Sequence, residues 1–114
     1  MENKLEQVID LIKQERLRQI EKEGFTQEHD AEHEDNKLAQ AAASYALDEE
    51  VRNAISELCA PELFYVTNVP VTWPFDDEYW KPSPDDRLRE LTKAGALIVA
   101  EMEKLMNKNE NEGV

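Results

Sequence analysis

The segment AGALIVA, residues 94–100, is apolar around the whole circumference of a helix. It lies inside a longer helical pattern, Asp85–Asn107, whose main apolar stripe covers one side. The opposite side is covered by Ala96, Leu97 and Ala100. A helix that is apolar all round must pack on two sides. We therefore expect this helix to be either the centre of a bundle or part of a subunit interface, in a homo-oligomer such as a dimer or tetramer.

A helix predicted for residues 3–22 carries polar residues on its apolar face. Its stripe consists of Leu5, Val8, Ile9, Ile12 and Ile20. At about 100° per residue, Arg16 and Gln19 project among these side chains, and Glu15 lies at the edge of the stripe. Polar groups on a buried face must be paired or functional. For Arg16, the alternative to a ligand-binding role is an ion pair with a core carboxylate such as Glu101.

The middle of the chain predicts a helix in two pieces. The first begins near Asp35 or Asn36 and has a face of small residues, which lets another helix approach closely. Residues 48–50 interrupt it, and the second piece runs from Val51 to Cys59.

Residues 61–84 differ from the rest because they hold all five prolines and both tryptophans. We expect a packed loop that covers a pocket, with a short extended stretch at residues 63–71. The predicted fold is thus all-α, a small bundle of three to four helices with a long aromatic and proline-rich loop before the last helix. We assign residues 1–108 to a single domain and residues 109–114 to a disordered polar tail.

The charge balance narrows the possible partners. The chain of 114 residues has 13 Lys and Arg against 26 Asp and Glu, a formal net charge of −13. A nucleic acid polymer is therefore not expected as a partner, because phosphate contacts need a basic surface. A small phosphorylated ligand needs only a few local cations. The single cysteine, the lack of a signal peptide and the lack of a run of about 18 apolar residues predict a cytoplasmic protein without membrane contact.

Acidic and histidine side chains concentrate between residues 15 and 34. Carboxylates that could bind Mg²⁺ or Mn²⁺ are Glu15, Glu23, Asp30, Glu32 and Glu34. Both histidines, His29 and His33, lie beside them and could bind a metal or act as a general base. The alternatives are a solvated acidic surface and histidines that order a loop. We assign metal binding to Glu15, Glu23, His29 and Asp30, and catalysis to Glu15, Asp30 and His33.

Cations and aromatic residues supply the predicted ligand contacts. The cations near this stretch or on the last helix are Arg16, Arg18, Lys81, Arg87, Arg89 and Lys93. Trp73 and Trp80 could stack on a base, or they could fill the core. The predicted substrate-binding residues are Arg16, Gln19, Trp80, Lys81 and Lys93.

The spaced pattern ERxRQxxxEGFTxEHDxxH, followed by LAxAAxxYA, WPF, WKP and LxKAGALIxAExEKL, resembles a family of short phage and prophage proteins. Members of this family are similar to MazG-like nucleotide pyrophosphohydrolases, and some are labelled dATP/dGTP diphosphohydrolases. The resemblance covers about 80% of the chain by the extent of the matched pattern. It implies an all-α, oligomeric, phage-encoded enzyme in the host cytoplasm. Such enzymes use Mg²⁺ to split a nucleoside triphosphate into the monophosphate and pyrophosphate.

The chain departs from the metal motifs of MazG enzymes, which have EExxE on one helix and ExxD on the next. Glu49 and Glu50 are present, but Asn53 stands where the third glutamate belongs. In the last helix Glu90 is followed at the ExxD spacing by Lys93. The metal of a pyrophosphohydrolase would then come from residues 15–33 instead.

Three functions remain open from the sequence. The first is a Mg²⁺-dependent nucleotide pyrophosphohydrolase. The second is a non-catalytic phage protein that binds and sequesters a nucleotide signal of the host. The third is a structural or regulatory helical module, in which the polar residues of the stripes only set the helix register.

Overall fold

A computed structural model describes residues 3–23 and 36–112 of the chain. This part of the chain is all-α, as predicted, and has no β-strand. It has five α-helices rather than three to four. They are α1 (Lys4–Glu23), α2 (Lys37–Ala46), α3 (Glu49–Cys59), α4 (Pro61–Thr67) and α5 (Arg87–Glu112), with a 3₁₀ turn at Asp77–Tyr79.

Short polar side chains fix several helix starts. The Asn3 side chain accepts a hydrogen bond from the backbone N–H of Glu6 (2.8 Å), which caps α1. Asp48 accepts from the N–H of Val51 (2.9 Å) and starts α3, so the predicted interruption between the two helical pieces is confirmed. Asp86 accepts from the N–H of Arg89 (3.0 Å) at the start of α5.

The expected extended stretch at residues 63–71 is wrong, because Pro61–Thr67 forms helix α4. Proline suits the first turn of a helix, where its missing N–H leaves no bond unmade. The helix ends at Asn68, which adopts the left-handed conformation (φ 57°). The irregular segment is therefore shorter than predicted and runs from residue 68 to residue 86, around the 3₁₀ turn.

Helix α5 is the central element, because it packs against α1 and against α2. On the α2 side, buried small residues allow a close approach, as predicted; they include Ala41, Ala42, Ala94 and Ala100. On the α1 side, a Cβ added to Gly95 would lie 2.9 Å from Cδ1 of Ile12. A larger residue here would force the Ile12 side chain to shift, so Gly95 favours the close contact of α1 with α5. These two contacts explain most of the all-round apolar segment of α5, and Ile98 remains 48% exposed.

Helix α5 also continues to Glu112, beyond the predicted end at Asn107. Residues 109–112, which we assigned to the polar tail, therefore extend this helix. The division into a domain and a tail stays a prediction. Among the described helices, none combines the length and the apolar character needed to cross a membrane.

Candidate functional site

Glu15 is the centre of a buried polar cluster between α1 and α5. Its side chain is only 1% exposed. Arg18 donates from Nε to Oε1 and from Nη2 to Oε2, both at 2.8 Å. Arg89 of α5 lies 2.7 Å from Oε1 through Nη2, and Gln19 donates from Nε2 to Oε2 at 3.2 Å. Glu15 thus organises two guanidinium groups from two different helices.

These contacts decide the ionisation of Glu15. Burial by itself raises the pKa of this carboxyl group, because the charged form loses hydration. The hydrogen bonds and positive charges of Arg18, and then of Arg89, outweigh burial and hold the pKa of Glu15 below its ordinary value. The carboxylate is therefore charged at neutral pH, with both oxygens already accepting hydrogen bonds. The metal-binding and catalytic roles of Glu15 stay predictions, and its observed contacts are with arginines.

A cavity of about 280 Å³ opens beside this cluster, between α1 and the first turn of α5. Its lining includes Leu11, Gln14, Glu15, Arg18, Asp86, Leu88, Arg89 and Thr92. The side chains of Arg18 and Arg89 are 36% and 35% exposed, so both guanidinium groups reach solvent. Within the described residues, the guanidinium of Arg89 has no partner besides Glu15. Its remaining N–H groups are available to an anion.

A narrow crevice lies on another side of the same cluster, and its free volume is only about 10 Å³. It is lined by Glu15, Arg18, Gln19, Tyr45, Trp73, Tyr79, Lys93 and Leu97. The structure therefore brings together three residues that the sequence assigned to the site: Glu15, Gln19 and Lys93. Gln19 is buried (2% exposed), and its Oε1 has no hydrogen-bond partner in the described structure.

Trp80 packs within an aromatic cluster. Its ring stacks on Tyr45 with centroids 4.7 Å apart, and the centroid of Trp73 lies 5.1 Å away. The guanidinium carbon of Arg52 lies 5.0 Å from the centroid of the Trp80 ring. These contacts support the core-filling alternative for Trp80, and its role in base stacking stays a prediction. Tyr79, by contrast, is 45% exposed beside the crevice.

Lys81 and Lys93 fasten the aromatic segment to the bundle. The backbone N–H of Lys81 donates to the hydroxyl of Tyr45 (3.1 Å), and Nζ of Lys93 donates to the carbonyl of Lys81 (2.6 Å). Nζ of Lys93 also lies 5.4 Å from the centroid of the Tyr45 ring. The aromatic segment is thus held by several anchors at the edge of the crevice. The predicted contact of these lysines with a phosphate stays a prediction.

Arg16 lies apart from the Glu15 cluster. It is buried (4% exposed), and its Nε donates to Oε1 of Glu103 at 2.9 Å. The ion-pair alternative is therefore confirmed in kind, with Glu103 as the partner instead of Glu101. Arg16 also lines an apolar groove of about 710 Å³ between α1 and α5, which is separate from the cavity beside Arg18.

A second buried glutamate, Glu90, is also held by two arginines. Its Oε2 accepts from Nη2 of Arg52 (3.4 Å) and from the N–H of Ser83 (3.1 Å), and its Oε1 accepts from Arg87 (3.2 Å). A cavity of about 480 Å³ lies beside this glutamate, and its lining includes Asp48, Glu49, Glu50, Asn53 and Glu90. Across the described residues, no three His, Cys, Asp or Glu side chains are grouped so that they could hold a metal ion.

Several predicted site residues cannot be placed relative to this geometry. His29, Asp30 and His33 lie outside the described residues, as do Glu32 and Glu34. Glu23 is the last residue of α1, and its side chain is likewise outside the described ones.

Three residues of the site were not assigned to it from the sequence: Arg18, Arg89 and Tyr79. Arg18 and Arg89 were two of several cations, and Tyr79 was one aromatic residue among many. Arg89 had a detectable signal, since it precedes the apolar core of α5 and follows Asp86, a helix-capping residue. For Tyr79 no signal in the sequence separates it from the buried aromatic residues around it.

Comparison of the chain with models of protein families, with curated protein sequences and with solved structures found no match. The resemblance to MazG-like proteins therefore stays a prediction, and the geometry described above is the basis for the proposals that follow.

Proposed function

We propose that the protein binds a nucleotide or another small phosphorylated ligand, with a phosphate group held by Arg18 and Arg89. The observation that carries this proposal is the placement of both guanidinium groups by one buried carboxylate at the wall of a 280 Å³ cavity. Arginine binds phosphate oxygens through pairs of parallel N–H groups, and a guanidinium that is already oriented loses less entropy on binding.

The position of the cavity at the start of α5 also favours an anion. The N-terminal end of a helix carries a partial positive charge. Asp86, which lines the same cavity, would oppose an anion, but its carboxylate accepts the backbone N–H of Arg89 as a helix cap. The volume of the cavity, about 280 Å³, is close to the lower limit of about 300 Å³ for small-molecule sites. The cavity therefore suits a phosphate group better than a whole nucleotide. The remainder of the ligand would extend along the surface.

The geometry of the described residues supports binding of the ligand without hydrolysis better than it supports hydrolysis. The resemblance implies Mg²⁺ held by carboxylates, but the described residues do not fit this ion. Both oxygens of Glu15 accept hydrogen bonds from arginines, and both oxygens of Glu90 are engaged as well. A phage protein of this kind would sequester a nucleotide signal in the host cytoplasm.

The second candidate is the Mg²⁺-dependent nucleoside triphosphate pyrophosphohydrolase of the MazG type. The observation in its favour is that Glu49 and Glu50, which remain of the expected EExxE pattern, line one cavity with Glu90. These three carboxylates do not by themselves form a group that could hold a metal ion. Catalysis in this case would depend on Asp30 and His33 as well as on Glu15, and the metal on Glu23 and His29.

With either candidate function, we also propose that the protein forms a homo-oligomer, either a dimer or a tetramer. The groove of about 710 Å³ between α1 and α5 is lined mainly by aliphatic residues, of which Ile9, Leu17 and Ile98 are exposed by 57%, 43% and 48%. A contiguous exposed apolar surface of this kind is typical of a protein interface. Light scattering of the purified protein would test it, and a monomer at high concentration would contradict it.

One experiment separates retention from turnover. The full chain is incubated with a panel of NTPs and dNTPs, with and without Mg²⁺ or Mn²⁺, and both bound nucleotide and released pyrophosphate are measured. Retention without pyrophosphate supports the first candidate, and metal-dependent pyrophosphate release supports the second. If no nucleotide binds and none changes the melting temperature, both are wrong.

Arg89→Met tests the site itself. We expect it to weaken nucleotide binding about ten- to hundredfold, because it removes a charge-assisted hydrogen bond to phosphate. Lys108→Met is the matched control, since it removes one positive charge from an exposed position on the same helix. Equal effects of both substitutions would show that only the overall charge matters.

A further inference from the structure

Gln19 has an unusual position for an amide side chain. It is 2% exposed, and its Nε2 donates to Glu15 at 3.2 Å. The carboxylate of Glu15 only accepts hydrogen bonds, so the amide must present its N–H group to it. Rotating the amide by half a turn would place its oxygen against the carboxylate. The orientation of Gln19 is therefore fixed by Glu15.

The oxygen of this amide is left without a partner in the described structure. A buried carbonyl oxygen that accepts no hydrogen bond costs about 1–3 kcal/mol of desolvation. The charged donors in the wall of the crevice are directed to other acceptors. Nζ of Lys93 donates to the carbonyl of Lys81, and the guanidinium of Arg18 donates to Glu15. Gln19 is one of the residues that line the crevice, so its unsatisfied oxygen calls for a donor from outside the described residues.

The size of the crevice limits what this donor can be. About 10 Å³ of free space holds one small group, about the size of a water molecule. An exocyclic amino group of a nucleobase has this size and carries N–H donors. Tyr79, which is 45% exposed at the same crevice, offers an aromatic face against which a base can lie. An acceptor and an exposed ring thus flank the same small space.

We infer that Oε1 of Gln19 accepts a hydrogen bond from an exocyclic amino group of the bound base, so that the protein selects nucleotides that carry one. The inference rests on the proposed binding of a nucleotide at the Glu15 cluster. It assigns Gln19 to base selection and leaves the phosphate to Arg18 and Arg89. An incoming amino group would satisfy the buried acceptor.

The test compares nucleotides that differ only in this amino group. Calorimetric titration of the full chain in EDTA, which removes metal and prevents metal-dependent turnover, gives the affinities for dGTP and for dITP, which lacks the 2-amino group. The same comparison is made for dATP and the deoxynucleotide of unsubstituted purine, which lacks the 6-amino group. We expect at least one amino-bearing nucleotide to bind about three- to tenfold more tightly than its partner, the value of one neutral hydrogen bond.

Gln19→Met removes the acceptor and keeps the side-chain length. In this variant the preferred nucleotide should bind as weakly as its amino-free partner, whose affinity should not change. Gln40→Met, at an exposed position on α2, is the matched control and should keep the preference. An equal loss of affinity for both members of a pair would mean that Gln19 acts only on the structure, and would overturn the inference.

The wild-type titration alone is also decisive, so the test does not depend on the folding of Gln19→Met. Tight binding without any preference for amino-bearing bases would refute the inference and leave the proposed nucleotide binding intact. Absence of binding for every nucleotide would refute the proposed function, and the inference with it.

Discussion

Glu15 and Glu90 are both buried glutamates held by two arginines, but their arginines are used differently. At Glu90, Arg52 also donates to the carbonyl oxygens of Ser44 (3.2 Å) and Leu47 (3.0 Å). At Glu15, by contrast, Arg89 makes no further side-chain contact within the described residues and borders a cavity. The two clusters have the same composition and different amounts of unused hydrogen-bonding capacity.

The carbonyl groups at the end of helix α2 explain why the arginines of the two clusters differ in their hydrogen bonds. Arg87 donates to the carbonyl oxygens of Tyr45 (2.9 Å), Leu47 (3.2 Å) and Ala46, which end helix α2. The last carbonyl groups of a helix have no partner inside the helix, and a nearby cation satisfies them and the helix dipole. The Glu90 cluster is therefore an anchor between α2, α3 and α5. Arg89, by contrast, pairs only with Glu15 within the described residues, which is why we assign ligand binding to the Glu15 cluster.

The largest expected effect is that of Arg52→Met, at the anchor. We expect the free energy of unfolding to fall by about 3–5 kcal/mol, because Glu90 stays buried and loses a charged partner. The same substitution also leaves the carbonyl groups of Ser44 and Leu47 without this donor. Urea denaturation measures the loss, and Lys108→Met should be close to wild type. A loss under about 1 kcal/mol would show that Arg87 and Ser83 alone can hold Glu90.

Glu15→Gln should have a smaller effect that depends on pH. At neutral pH we expect a loss of about 2 kcal/mol, because the neutral amide bonds less strongly to Arg18 and Arg89. The pKa of Glu15 is lowered in the folded protein. Its contribution to stability is therefore fully present above the pKa of the unfolded chain and is lost as the pH falls through the lower, folded pKa.

The two proteins should consequently become more similar in stability in acid. Unfolding free energies of wild type and Glu15→Gln, measured in steps from about pH 7 to about pH 3, test this difference. The variant serves as the control for all other carboxyl groups, which titrate in both proteins. A difference that stays constant over this range would contradict the charge-based account of the cluster.

The boundaries of most helices follow from local sequence signals. Helix α4 is the exception, and it shows which of these signals dominate. Helix α1 was predicted within one residue at each end, because its apolar period and the cap at Asn3 are local features. Residues 63–71 were expected to contain a short extended stretch. Pro61 at the first turn and Asn68 at the end define a short helix instead. Boundary residues decided the structure more strongly than the propensity of the residues between them.

The site could be predicted only in part from the sequence, because its decisive contacts join distant parts of the chain. Periodicity placed Glu15 at the edge of the apolar stripe and identified Gln19 as an inward polar residue, and both are buried. The sequence does not show that Arg89 closes the Glu15 cluster, since this contact depends on how α1 lies on α5. It also does not distinguish Trp80, which packs in the core, from Tyr79, which faces solvent.

The smallest expected effects are those of Arg87→Met and Arg89→Met. This pair of substitutions is also the most direct test of the difference between the Glu90 and Glu15 clusters. We expect Arg87→Met to lower the free energy of unfolding by about 1 kcal/mol, after allowance for its partial exposure, because the end of α2 loses a donor. Arg89→Met should cost less than about 0.5 kcal/mol, since the Arg89 side chain is 35% exposed and Arg18 still holds Glu15. In nucleotide titrations the order should reverse, with Arg89→Met impaired and Arg87→Met close to wild type. If both substitutions change stability and binding in the same proportion, the division into an anchor and a ligand site is wrong.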